Sequence, residues 1–103
     1  MTEVSDIISE KDFAATVDGL AALHGWKYFG VLEQKVYGRR TSKGFPDRVM
    51  VRGNRLLFVE YKSEHGRINP DQASWLEALY EVDHIEVYCW RPSDRDRIDA
   101  ILS

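Results

Sequence analysis

Cysteine occurs once in these 103 residues, and histidine and proline three times each. A single cysteine excludes an internal disulfide and any cysteine-rich zinc site, and no second histidine or cysteine is spaced to make a ligand set with His24. Cys89, in a strand pattern, reads as a small buried hydrophobe. No apolar run approaches the roughly 20 residues of a membrane span, and the N-terminus lacks a basic-then-apolar leader. The expectation is therefore a cytoplasmic protein with no membrane partner. Excess positive charge is missing too: the net charge is -3, which argues against a generally sticky nucleic-acid binder. Repeats, linkers and low-complexity segments are absent. With 44% apolar and 30% charged residues, the chain reads as a single domain, 1–103, in which residues 1–8 carry no strong signal and are taken as a flexible N-terminus.

The charge that is present falls unevenly. Residues 35–67 hold nine Lys or Arg against three acids, while the rest of the chain holds five against fourteen. Within this basic segment lies GFPDRVMVRGNRLLFVEYK, residues 44–62. Its two alternating runs flank Gly53-Asn54, a loop of the kind that closes a tight antiparallel hairpin. With that pair at the turn, Arg52 opposes Arg55, Val51 opposes Leu56, Val49 opposes Phe58 and Asp47 opposes Glu60. Opposed residues share a face, so Asp47, Val49, Val51, Leu56, Phe58, Glu60 and Lys62 lie together. Two carboxylates about 5 Å apart are unfavourable unless something binds between them, and the natural occupant is a divalent cation. Arg52 and Arg55 read as edge charges of a solvated hairpin. Arg39, Arg40 and Lys43 precede the hairpin in a loop bounded by Gly38 and Gly44.

A helix is expected from Ser9, an N-cap with Asp12 three residues on, to a stop at Gly25, with Phe13, Val17, Leu20 and Ala21 on its apolar stripe. Glu10 projects from the N-terminal end of that stripe. It is either an acid placed for the helix dipole or a third carboxylate directed at the metal. Residues 26–37 read as a strand interrupted at Gly30. His65 lies in a solvated loop. Asn69-Pro70-Asp71-Gln72 opens a second helix, on which Gln72, Leu76, Leu79 and Asp83 align. Gln72 either reaches back to Asn69 in a capping box or points into a polar pocket beside the acids. A strand at 85–90 and a last helix capped by Ser93 with Asp96 complete the order α-β-β-β-α-β-α. That order predicts a mixed α/β sheet flanked by helices, with a right-handed crossover.

An Asp, a Glu and a Lys presented together, the Glu and Lys at i and i+2 on one strand face, suit metal-assisted phosphodiester hydrolysis. The carboxylates would hold Mg²⁺ or Mn²⁺, hard ions that favour oxygen ligands, which activate a bound water. Lys62 would orient that water or stabilise charge developing on the phosphate. An E-x-K triplet alone arises by chance in amphipathic strands. Joined to Pro46-Asp47 by a twelve-residue gap closed by a hairpin, it is far more specific.

Pro46-Asp47 with Glu60-Tyr61-Lys62 resembles the PD-(D/E)xK nuclease signature. The wider pattern is similar to the VRR-NUC (virus-type replication-repair nuclease) branch: Ser9-Glu10 on a helix, Arg40-Thr41-Ser42-Lys43-Gly44-Phe45-Pro46-Asp47, then E-x-K, Gly66-Arg67, a helical Gln72-x-x-Trp75-Leu76, and a terminal Trp90-Arg91-Pro92. The resemblance covers residues 9–102. It implies a restriction-endonuclease-like mixed sheet, divalent-metal-dependent DNA cleavage and a bacterial or phage origin. It also implies that Glu10, Asp47, Glu60 and the Tyr61 backbone carbonyl ligate the metal, that Lys62 serves the nucleophile, and that Gln72 is the active-site glutamine. One departure is Glu81-Val82-Asp83-His84, where relatives commonly have a glycine. Standalone members of the family look like homodimers acting on branched DNA such as four-way (Holliday) junctions, and fused ones serve DNA repair. Arg39, Arg40, Lys43 and Arg67 are the candidate DNA contacts. The competing readings are a junction-bridging subunit that needs a partner to cut, and a restriction-like enzyme with base readout.

Overall fold

The computed structural model describes residues 4–31, 35–36, 39–40 and 43–103, the side chains of the two short middle segments excepted. In chain order the elements are α1 (Val4–Ile7), α2 (Glu10–Leu23), β1 (Lys27–Gly30), β2 (Lys35–Val36), β3 (Arg39–Arg40), β4 (Arg48–Arg52), β5 (Arg55–Tyr61), α3 (Pro70–Tyr80), β6 (Glu86–Trp90), a 3-10 turn (Pro92–Asp94) and α4 (Arg95–Leu102). The expected mixed sheet is present, in the order β1-β4-β5-β6. The β4–β5 hairpin has the predicted register, with Arg52 opposite Arg55, Val51 opposite Leu56 and Val49 opposite Phe58. Gly53, at φ 60°, supplies the positive-φ position of the turn. Strands β5 and β6 run parallel, as the intervening α3 requires.

The two faces of the sheet differ. Met50, Leu57, Val59 and Tyr61 meet Phe13, Ala14, Val17 and Ala21 of α2 and Ile98 and Leu102 of α4 in one buried core. Each large aliphatic side chain buried there contributes about 1.5 to 3 kcal/mol. The Trp26 indole donates to the Leu102 carbonyl at 2.9 Å and ties the start of β1 to the end of α4. The other face carries Val49, Phe58, Glu60 and Lys62. There Phe45 packs edge-on against both Phe58 and Trp75 of α3, and Leu76 and Val87 are buried. The β1 end of this face is open, with Phe29 68% exposed.

Caps form largely as read. The Ser9 hydroxyl accepts from the Asp12 amide at 3.0 Å, and Asn69 and Gln72 make a reciprocal capping box at 3.0 Å each way. Val4–Ile7 is a helical turn, in a segment that carries no strong sequence signal. The strand after Trp26 is interrupted at Gly30, as expected, and strand resumes at Lys35. Three expectations need correction. Arg39 and Arg40 are strand rather than loop, paired with Val36 and Lys35; residues 37–38 and 41–42 of that stretch lie outside the described residues. Helix α3 ends at Tyr80, before Asp83. Ser93 does not cap the last helix: Pro92 opens a 3-10 turn whose Asp94 carboxylate accepts from the Arg91 amide at 2.9 Å, while the Ser93 amide donates to Glu64.

Candidate active site

The β4–β5 ladder ends at Arg48 opposite Val59, so Asp47 and Glu60 lie one step beyond it. Pro46 precedes Asp47 and has no N–H to extend the pairing. The Asp47 carboxylate takes over, accepting from the Tyr61 amide at 2.8 Å. Glu60 is 2% exposed. Burial pushes its pKa up to about 9, reinforced by a side-chain hydrogen bond and charge from Asp47 and by the charge of Glu10, and opposed by Lys62. In the metal-free protein, burial and the neighbouring Asp47 carboxylate thus favour the protonated form of Glu60. Lys62, two residues along the same strand face, is itself only 8% exposed.

Glu10 opens α2, in the helix layer on the opposite face of the sheet. It lines a cleft of about 380 Å³ with Lys11, Ala14, Asp47, Arg48 and Tyr61. Among the described residues no three His, Cys, Asp or Glu side chains close on one point, so Glu10 shares the cleft without joining Asp47 and Glu60 in a cage. The donor set nevertheless fits a Mg²⁺-type ion, which is commonly held by one or two carboxylates and keeps its waters. Two facing acids, one of them buried, form a place where a cation can offset their like charge. A second crevice, between α1, α2 and the 3-10 turn, is lined by Val4, Ile8, Phe13 and Pro92 and has no carboxylate in its lining.

The VRR-NUC domain model matches residues 8–90, most of the chain and all of this site. The chain belongs to the VRR-NUC family. That membership implies a nuclease-type, DNA-cleaving function, with DNA as substrate. No curated protein matches the chain.

The Gln72 Oε1 accepts from the Asn69 amide, so the capping reading of this residue holds in the structure. Lys43 is exposed and pairs with Asp71 at 3.3 Å, and its carbonyl accepts from the Trp75 indole at 3.1 Å. The next residue, Gly44, has φ 82°, and a β-carbon there would lie 2.5 Å from the Asp71 carbonyl carbon. Only glycine lets the turn into Pro46-Asp47 lie this close to the start of α3. Arg67 is exposed. The side chains of Arg39 and Arg40 lie outside the described residues. His65, read as simply solvated, hydrogen-bonds Asp6 at 2.7 Å. Cys89 is half-buried, and burial raises its thiol pKa.

Sequence reasoning missed two features around these residues. The Arg91 guanidinium donates to the carbonyls of Ser63, Glu64 and Gly66 and shapes the loop leaving Lys62. Asp18 bonds both Arg48 and the Tyr61 phenol. A signal for Asp18 was available: Glu10, Ala14 and Asp18 recur at i, i+4 and i+8, on one helix face.

Proposed function

We propose that this chain is a divalent-metal-dependent endodeoxyribonuclease that hydrolyses phosphodiester bonds in branched DNA, four-way junctions in particular. The observation that carries the proposal is the placement of the buried Glu60 opposite Asp47, one step beyond the β4–β5 ladder, with the buried Lys62 two residues along the same strand face. Asp47, Glu60 and the Tyr61 backbone carbonyl would hold Mg²⁺ or Mn²⁺, with Glu10 completing the set from the helix side of the cleft. Bound there, the ion supplies charge neutralisation at the phosphate and an acidified water. Lys62 places a positive charge where negative charge develops on the phosphate and holds the attacking water in line. Arg39, Arg40, Lys43 and Arg67 are assigned to the DNA backbone, and Gln72 to the rim of the site at the start of α3.

Structure selectivity, rather than sequence selectivity, follows from the lack of any insertion that would read base edges. A two-fold homodimer is assigned because one domain of this size has little surface to embrace a junction, and the exposed β1 end of the sheet around Phe29 offers apolar area for a second copy. The setting assigned to this activity is the cytoplasm of a bacterial cell or a phage-infected host. The test is incubation of linear, single-stranded, flap and four-way-junction DNA with the protein in Mg²⁺ or Mn²⁺, with EDTA controls. Cleavage of the junction ahead of the linear duplex, lost in EDTA, is expected. Binding without cleavage would assign a bridging role instead, and a monomeric mass by light scattering at working concentration would remove the dimer.

A further inference from the structure

We infer that Asp18, Arg48 and Tyr61 form a clamp that fixes the orientation of Asp47 for metal binding, an inference that rests on the metal-dependent reading of the same site. Four links close a ring. Arg48 Nη1 donates to the Asp47 backbone carbonyl at 3.0 Å. The same guanidinium forks onto Asp18, with Nε 3.1 Å and Nη2 3.0 Å from Oδ2. The Tyr61 hydroxyl donates to the other Asp18 oxygen at 2.9 Å. The Tyr61 amide then returns to Asp47 Oδ2 at 2.8 Å. Asp47 is thus gripped at its carbonyl by one arm of the ring and at its carboxylate by the other.

Stability alone does not explain this arrangement. The ring sits on the core-facing side of the hairpin, where its nearest neighbours along the two strands, Met50, Leu57 and Val59, are fully buried and apolar, and Arg52 and Arg55 lie at the far, turn end. An ion pair in such a place gains little over an apolar replacement of equal volume, because desolvation offsets its Coulomb energy. Fixed direction is what it adds. A planar guanidinium bonded through two nitrogens to one carboxylate has a single orientation, and here it is further confined, 5.4 Å from the centre of the Tyr61 ring. That ring in turn packs edge-on to Phe13 at 5.7 Å. The Asp18 carboxylate, 13% exposed, has both oxygens engaged by these two partners. The outer partners of a metal-holding carboxylate set its rotamer, and losing one typically weakens metal affinity or activity about 10- to 100-fold. Asp18, Arg48 and Tyr61 act here as positioning residues: only the backbone of Tyr61 is assigned to the ion, and its phenol belongs to the clamp.

The test is Mn²⁺ binding by calorimetry to the wild type, Tyr61→Phe and Arg48→Lys, with the exchange rate of the Tyr61 amide proton followed by NMR in EDTA. Both variants are expected to bind Mn²⁺ at least about 10-fold more weakly and to exchange that amide faster, with the circular dichroism of a folded protein. Wild-type Mn²⁺ affinity in the folded variants would overturn the clamp while leaving the metal-dependent reading intact. Absence of Mn²⁺ binding by the wild type would overturn both. Should Arg48→Lys fail to fold, Tyr61→Phe decides, since it deletes one oxygen from a ring that stays packed.

Discussion

The β4–β5 hairpin sets like charges opposite one another at both of its ends, and resolves them in opposite ways. At the turn, Arg52 faces Arg55. Arg52 donates to the carbonyls of His24, Leu102 and Ser103 at 2.8 to 3.1 Å, which are the exposed acceptors at the C-termini of α2 and α4. Arg55 donates to the Ile101 carbonyl and forks onto Glu86 at 2.8 and 2.7 Å, holding that acid below its ordinary range. Both guanidiniums lie over Trp26. These arginines are helix caps, not the solvated edge charges expected from sequence. At the open end Asp47 meets Glu60, and no guanidinium is among the partners that act on Glu60; burial and Asp47 instead push the Glu60 carboxyl toward its protonated form. The turn end is closed by the protein's own groups and serves the fold. The open end has no such closure among the partners of Glu60, and it is the end to which the proposed function assigns the cation and the chemistry.

The sharpest break of this contrast is at the open end. Asp47→Asn and Lys62→Ala should each lower the cleavage rate at least about 100-fold while the thermal midpoint changes little, as read from single-turnover kinetics and calorimetry on the same samples. Gly44→Ala should damage both properties. The new methyl meets α3 backbone in a conformation unfavourable for L-residues, at a cost of about 2 to 3 kcal/mol, and it displaces the turn into Asp47; denaturant unfolding and cleavage rate should fall together. Arg52→Ala should do the reverse of Asp47→Asn, losing about 2 kcal/mol of stability with cleavage per folded molecule unchanged.

Smaller effects sharpen the same comparison. Glu60 has a folded pKa of about 9 against an ordinary 4.5, so the folded protein keeps a proton that the unfolded chain releases. Its stabilisation is complete below about pH 4.5 and is lost as pH rises through about 9. The thermal midpoint of metal-free protein should decline across that window, and Glu60→Gln should flatten the decline. The smallest effect is expected away from both ends. His84, in the turn before β6, adopts φ 67°, a conformation that favours glycine. His84→Gly should raise stability by about 1 kcal/mol in denaturant unfolding, leaving cleavage unaltered.

Much of this was legible in the chain because it depends on local periodicity. Gly53-Asn54 and the flanking alternation determine the hairpin register, and the register brings Asp47, Glu60 and Lys62 together. Ser9 and Asn69 announce their helices by cap chemistry that acts over three residues. What was not legible depends on partners far apart in sequence. Arg52 and Arg55 reach the ends of two helices that no local pattern connects to the turn. Asp18 bonds Tyr61 across 43 residues. That Glu10 starts from the helix layer, on the side away from the acid-bearing face, follows from which side of the sheet α2 covers, and alternation alone does not choose that side. Gln72 was left open between a cap and a polar pocket, and its bond to the Asn69 amide is the cap.

The most direct measurement is cleavage of an end-labelled four-way junction by wild type and Asp47→Asn in Mg²⁺, side by side at matched folded concentration. The pairing of Asp47 with Glu60 as a metal-dependent centre predicts cutting by the wild type, none by the variant, and none by either in EDTA. Equal cutting by both proteins, or wild-type cutting that persists in EDTA, would contradict it.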